Sequence, residues 1–190
     1  METKKYKLTD ETIVVGGRTL YRIEALKDFA DVCKGDKGGF VESENNLSQV
    51  YDCWVYGSAG VYGNAKVYGN AKVYCNAVIF GNAKVYGNAV IYENAKVYGN
   101  AKAYGNAVIY GNAKVYGNAE VSENKDYIVF KNWWSSGRYF TWTRSNNMWR
   151  VGCFYGTGKE LISKAYKDSE LSGREYERVV KYVESILKEE

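Results

Sequence analysis

Between positions 133 and 155, Trp133, Trp134, Trp142 and Trp149 gather with Tyr139, Phe140, Phe154 and Tyr155 and with Arg138, Arg144 and Arg150. Aromatic faces beside guanidinium groups suit a ligand with a flat ring and phosphates, such as a nucleotide or a nucleotide-derived signal. Directly after them, Gly156-Thr157-Gly158-Lys159 leads into a helical pattern, where free backbone amides and a lysine could meet an anion. That segment lacks the full phosphate-loop spacing, and Thr157 is already explained as a helix cap. Strand alternation puts Trp149, Val151, Cys153 and Tyr155 on one face, so part of the cluster is ordinary core. The candidate ligand-binding residues are therefore Trp133, Trp134, Arg138, Tyr139, Trp142, Arg144, Trp149, Arg150, Thr157 and Lys159.

Catalysis is harder to place. The chain has no histidine, which removes the commonest general base and with it Ser–His and Cys–His nucleophiles. Cys33, Cys53, Cys75 and Cys153 lie far apart with no Cys-x-x-Cys pair, so no metal site, cofactor or disulfide framework is expected. The reading is a protein that is not an enzyme. A net charge of +4 favours anionic partners, but no basic helix or arm presents itself to duplex DNA. No apolar run approaches the roughly 18 residues a membrane helix needs, and the start, Met1-Glu2-Thr3-Lys4-Lys5, is followed by no signal-peptide core. The expected compartment is the cytoplasm.

The elements that must carry these residues are set by a repeat. Val55, Val61, Val67, Val73, Ile79, Val85, Ile91, Val97, Ala103, Ile109, Val115 and Val121 recur every 6 residues without a slip, and alanines from Ala59 to Ala119 hold the same period two places before each aliphatic after Val55. In the unit Gly-Asn-Ala-Lys-Val-Tyr, alternation sends Ala and Val to one side and Lys and Tyr to the other. Gly-Asn turns the corner. Because Cys75 and Glu93 replace the glycine while Asn stays in place, Asn is expected to adopt the left-handed backbone. Strands this short can close only by winding, three to a coil, so Val55 to Val121 spans about four coils rising ~4.8 Å each. The absence of proline suits amides committed to ladders.

The Val-x-x-x-Ala spacing resembles the hexapeptide-repeat family of left-handed parallel β-helices, and the left hand is implied by that resemblance alone. Many members are acyltransferases with a histidine base; this chain has no histidine for that role, which would fall to a carboxylate or water, and no long loop interrupts the repeats to build a cleft. The flanks Leu8-Thr9-Asp10-Glu11-Thr12, Leu26-Lys27-Asp28-Phe29 and Gly38 to Ser48 are similar to hexapeptide-repeat proteins of phages and prophages, a group without an agreed activity. The resemblance implies a phage protein acting in a bacterial host cell.

The expected fold is mainly β: residues 1–50 form an N-terminal β-hairpin cap and a first irregular coil, 51–124 the left-handed β-helix, and 125–190 a small C-terminal α+β domain. Tyr6 to Leu8, Thr12 to Val15 and Arg18 to Ile23 read as strands, with a tight hairpin turn at Gly16-Gly17. In the tail, strands over 127–130, 139–144 and 148–155 precede two helices opened by Thr157-x-x-Glu160 and Ser172-x-x-Glu175. Outside the prism, tyrosines stack in columns, among them Tyr68, Tyr86 and Tyr104, and Val78, Val90 and Val108 replace the usual lysine. Such an apolar stripe suits a subunit contact, and the resemblance implies a homotrimer.

Two functions fit: an oligomeric binding protein that sequesters a small anionic or nucleotide-derived host signal at the C-terminal domain, as an anti-defence protein would, and a scaffold whose solenoid only assembles subunits. A charge introduced at Val90 or Val108 is expected to dissociate the oligomer, with native mass spectrometry as the readout; an unchanged subunit number would remove these valines from the contact.

Overall fold

The computed structural model describes residues 4–189. The chain begins with an antiparallel hairpin, β1 (Tyr6–Val15) and β2 (Arg18–Ala25), turned by Gly16 and Gly17 at φ 57° and 78°. β3 (Lys37–Val41) pairs antiparallel with β2 on one side and parallel with the solenoid on the other. Each hexapeptide then supplies one two-residue strand, from β4 (Trp54–Val55) through to β15 (Glu120–Val121). Strands pair with the equivalents one coil away, as in Val55↔Val73 and Ile91↔Ile109, building three parallel sheets. Because Val41 lies beside Val61 and Leu47 bridges Val67, the prism gains a turn ahead of the regular repeats and runs about five turns.

The repeated alanines and aliphatics point inward and are fully buried, from Val55 to Val121. The corners differ from the sequence expectation. Glycine, not asparagine, takes the left-handed backbone: Gly63, Gly69, Gly81, Gly87, Gly99, Gly105 and Gly117 have φ between 60° and 72°. A Cβ on Gly87 would stand 3.0 Å from the Gly105 nitrogen, so glycine is kept by the coil stacked against it as well as by its backbone angle. The third corner is roomier, with nothing within 4 Å of a Cβ at Gly57. It accepts Cys75 and Glu93 at φ 58° and 59°. Asparagine serves instead as an amide ladder, Asn64→Asn82→Asn100→Asn118 at 3.0, 3.0 and 3.3 Å, each side-chain NH2 donating to the next side-chain carbonyl.

Both ends of the prism leave backbone groups without a next coil, and side chains meet them. At the N-terminal end the buried Lys5 ammonium donates to the carbonyls of Tyr51 and Cys53 at 3.1 and 2.7 Å, and the Tyr6 hydroxyl to that of Leu47 at 2.7 Å. Burial pulls the Lys5 ammonium below its usual pKa, opposed in part by Cys53. At the far end the N–H groups of Val108, Lys114 and Glu120, one on each face, donate to side-chain oxygens of Asn124, Thr141 and Ser145 at 3.1, 2.9 and 2.7 Å.

Thr141 and Ser145 belong to the C-terminal unit, a meander of β16 (Tyr127–Lys131), β17 (Tyr139–Thr143), β18 (Met148–Val151) and β19 (Phe154–Gly156) followed by α1 (Gly158–Asp168) and α2 (Glu170–Lys188). The single strand expected over 148–155 is two, split by a tight turn at Gly152, φ 57°. Thr157 and Glu160 form the expected capping box, but the second helix starts earlier than expected: Ser169 both ends α1 and caps α2, its side chain accepting from the Ser172 N–H. No helix among the described residues is long and apolar enough to cross a membrane.

The corner geometry sets opposite outcomes for two kinds of substitution. Cys75→Gly should raise unfolding stability by up to about 1 kcal/mol by relieving a left-handed non-glycine residue, whereas Gly87→Ala should lower it by about 2 kcal/mol; chemical denaturation measures both, and equal effects would refute the stacking explanation.

Candidate functional site

The tryptophans do not form a pocket. Trp142 and Trp149 are each 1% exposed and pack with Phe140, Leu161, Tyr176 and Val180 in the core between the meander and the helices. The Trp142 indole N–H is satisfied by Asn147 Oδ1 at 2.9 Å. Trp134 lies edge-on to Tyr176 with ring centroids 4.9 Å apart, and only Trp133 stands out in solvent, 72% exposed. At the start of α1, the Thr157 N–H donates to Glu160 at 2.7 Å, so this chain's own carboxylate occupies the place an anion would take. Lys159 faces a different surface, beside Lys164 and Lys167. Arg144 sits by Asp126, and its backbone N–H donates to the Asp126 carbonyl at 2.8 Å.

Three of the expected residues do meet: Arg138, Tyr139 and Arg150 line a cleft of about 640 Å³ with Asn112, Lys114, Gly152 and Cys153. Its floor is the last coil of the solenoid and its wall is the meander. The Gly152 turn that divides β18 from β19 forms one rim, so the structural feature that alternation overlooked also shapes the cleft.

Arg150 is held in place by the solenoid. Its guanidinium lies 4.8 Å from the centroid of Tyr116 and its Nε donates to the Tyr98 hydroxyl at 2.8 Å, while Nη1 donates to the Cys153 carbonyl at 3.1 Å. The two tyrosines that receive it end one column of rings, Tyr62, Phe80, Tyr98 and Tyr116, with centroids 5.2, 4.7 and 4.6 Å apart, the last pair tilted by 34°. Tyr155 of the meander closes that column edge-on at 4.8 Å. A flat cation on stacked rings is a strong form of cation–π contact, and lysine would not reproduce it.

The charge in the cleft has one sign. Partial burial, then the neighbouring charges of Lys96, Arg150 and Arg138, hold the Lys114 ammonium below the usual lysine range. Among the described residues, none of these four cations makes an ion pair with a carboxylate. Like charges gathered without a counter-charge raise each other's energy, and an anion in the cleft would relieve it.

Lys114, Asn112, Gly152 and Cys153 are not among the candidate binding residues the sequence points to. Lys96 and Lys114 share one face at the 18-residue step, a pairing the repeat does encode. Their meeting with Arg138 and Arg150 depends on how the meander docks. The residues expected at a subunit contact fall on different faces: Val90 and Val108 pair with each other beside Lys72, Val78 lies next to Lys96, and Tyr68, Tyr86 and Tyr104 stack on the third side.

Arg150 gives the docking a specific test. Tyr98→Phe removes the acceptor of its Nε and should cost about 1 kcal/mol of unfolding free energy, whereas Tyr86→Phe, in the column that carries no arginine, should stay within about 0.5 kcal/mol of the parent; similar losses in denaturant titrations would refute the role given to Tyr98. No family model matches this chain, and none of the curated proteins matches it.

Proposed function

We propose that the protein is a non-catalytic binding protein that captures a small anionic, phosphate-bearing ligand in the cleft between the last coil and the meander. One observation carries the reading: Lys114, Arg138 and Arg150 line one cavity, Lys96 acts on it from the next coil down, and no carboxylate pairs with any of them among the described residues. Arginine and lysine together suit phosphate, the first by its planar fork and the second as a point charge. Cleft volume agrees with a ligand of small-molecule size.

Two wider elements belong to the same proposal. The half-buried valines Val90 and Val108, paired on one face, supply an uncharged stripe for a homo-oligomer, expected to be a trimer, which would multiply the cleft. The resemblance of the flanks to phage proteins supports a role in the cytoplasm of a bacterial host, sequestering a nucleotide-derived host signal. A scaffold with no ligand would leave the cationic cleft without a purpose, so the binder is preferred.

Isothermal titration with inorganic pyrophosphate at low salt tests the reading. Binding should weaken steeply as salt rises, and Lys114→Met should weaken it about tenfold, on the scale of one charge-assisted hydrogen bond. The pH dependence has a defined sign. Lys114 titrates below its ordinary 10.5, so it loses charge before the exposed lysines; a bound anion pulls its pKa back up and takes up a proton. Affinity therefore falls as pH rises through the lowered value, and Lys114→Arg, which stays charged, should abolish that fall. Absence of any pyrophosphate binding would overturn the proposal.

A further inference from the structure

The cationic cleft has a neighbour. A second cavity of about 580 Å³ adjoins it and shares Asn112 and Tyr139 as lining residues. Its chemistry is different: Tyr110, Tyr127, Ile128 and Val129 give it an aromatic and aliphatic lining, to which Glu93 and Asn124 add polar groups. Tyr110 and Tyr139 are 49% and 39% exposed, so both offer aromatic surface that no other part of the chain covers. Asn124 already accepts the Val108 N–H, and Tyr127 donates its hydroxyl to the Val108 carbonyl at 2.9 Å. The Asn124 side-chain oxygen and the Tyr127 hydroxyl are thus committed to the end of the solenoid.

Glu93 is not committed. Among the described residues its carboxylate has neither an ion pair nor a hydrogen bond, although cations are plentiful in this chain. It also occupies a corner position that the repeat gives to glycine, and it holds the left-handed backbone at φ 59°. The roomy third corner tolerates a side chain there without requiring one. Cys75, one coil below, shares the backbone strain but lines neither cavity. A strained residue that carries the single carboxylate of an otherwise aromatic cavity is better suited to a ligand than to the fold.

The two cavities divide a ligand into a phosphate end and a ring end. Among flat heterocycles, the ring's edge must present hydrogen-bond donors to a carboxylate. Guanine does so with two adjacent donors, N1–H and the N2 amino group, which match the two oxygens of one carboxylate. Adenine and cytosine each place a ring acceptor next to the amino donor, and that acceptor would face a carboxylate oxygen. We infer that the paired cavities take a guanine nucleotide, with the phosphates beside Lys114, Arg138 and Arg150, the base against Tyr110 and Tyr139, and Glu93 reading its edge.

This rests on the anion-binding reading and is separable from it. The experiment is a titration of the full chain with guanosine diphosphate, adenosine diphosphate and inorganic pyrophosphate, repeated on Glu93→Gln and on Glu93→Gly, the second of which restores the repeat's own residue. The expected result is guanosine diphosphate binding at least tenfold tighter than adenosine diphosphate, with that ratio falling to within twofold in both variants. Equal affinities for the two nucleotides in the parent chain would overturn the inference while leaving the anion reading standing, as would a preference that survives both variants. Failure of all three probes to bind would overturn both together.

Discussion

Parallel pairing in register, at a step of 18 residues, sets each side chain of the solenoid directly on its counterpart in the coil below. Everything else in the molecule answers to that constraint. A residue type that suits its own kind at ~4.8 Å is favoured in every coil, and one that repels or crowds its own kind is excluded. Valine and alanine interdigitate inside, tyrosines stack outside at centroid distances near 5 Å, and asparagine amides run donor to acceptor along an edge. Glycine at two corners is the same rule in steric form, since the coil above stands where a Cβ would be.

Regular pairing has a cost at each terminus, where the stack stops with hydrogen-bonding groups facing outward. The flanking segments answer with single side chains placed one to a position: a lysine and a tyrosine hydroxyl on carbonyls at one end, and three oxygens on N–H groups at the other. Capping and the candidate site are thus one piece of architecture. Thr141, which receives the Lys114 N–H, lies on the strand that begins with Tyr139, so the contact that closes the solenoid also fixes the wall of the cleft. Arg150 reaches across the same junction onto the tyrosine column.

How much of this was legible depended on how local each signal was. The twelve strand positions, the inward alanines and aliphatics and the stacked tyrosines all follow from period six and alternation, and the N-terminal hairpin from Gly16-Gly17. Asparagine was misread because its constancy looked like a backbone requirement, when the constancy comes from side chains bonding coil to coil; Cys75 and Glu93 can replace glycine because one corner is open. The strand break at Gly152 was hidden by an unbroken apolar alternation. The tryptophans cluster in sequence, yet Trp142 and Trp149 fill the small core under two helices. Arg138 and Arg150 were identified by residue type, but their meeting with Lys114 is a product of docking, which no local pattern records.

The regularity of the coils also makes length an independent variable in the history of the chain. The cleft and its neighbouring cavity draw on Glu93 and residues after it, and the N-terminal cap on residues up to Lys72. The stretch between them consists of nearly identical hexapeptides, each equivalent to the one a coil away. A change of 18 residues there restores every stack and ladder in register and leaves both ends untouched. Relatives of this protein can therefore differ in the distance between cap and cleft by whole coils while sharing one site, and insertions of any other length are the ones selection would remove.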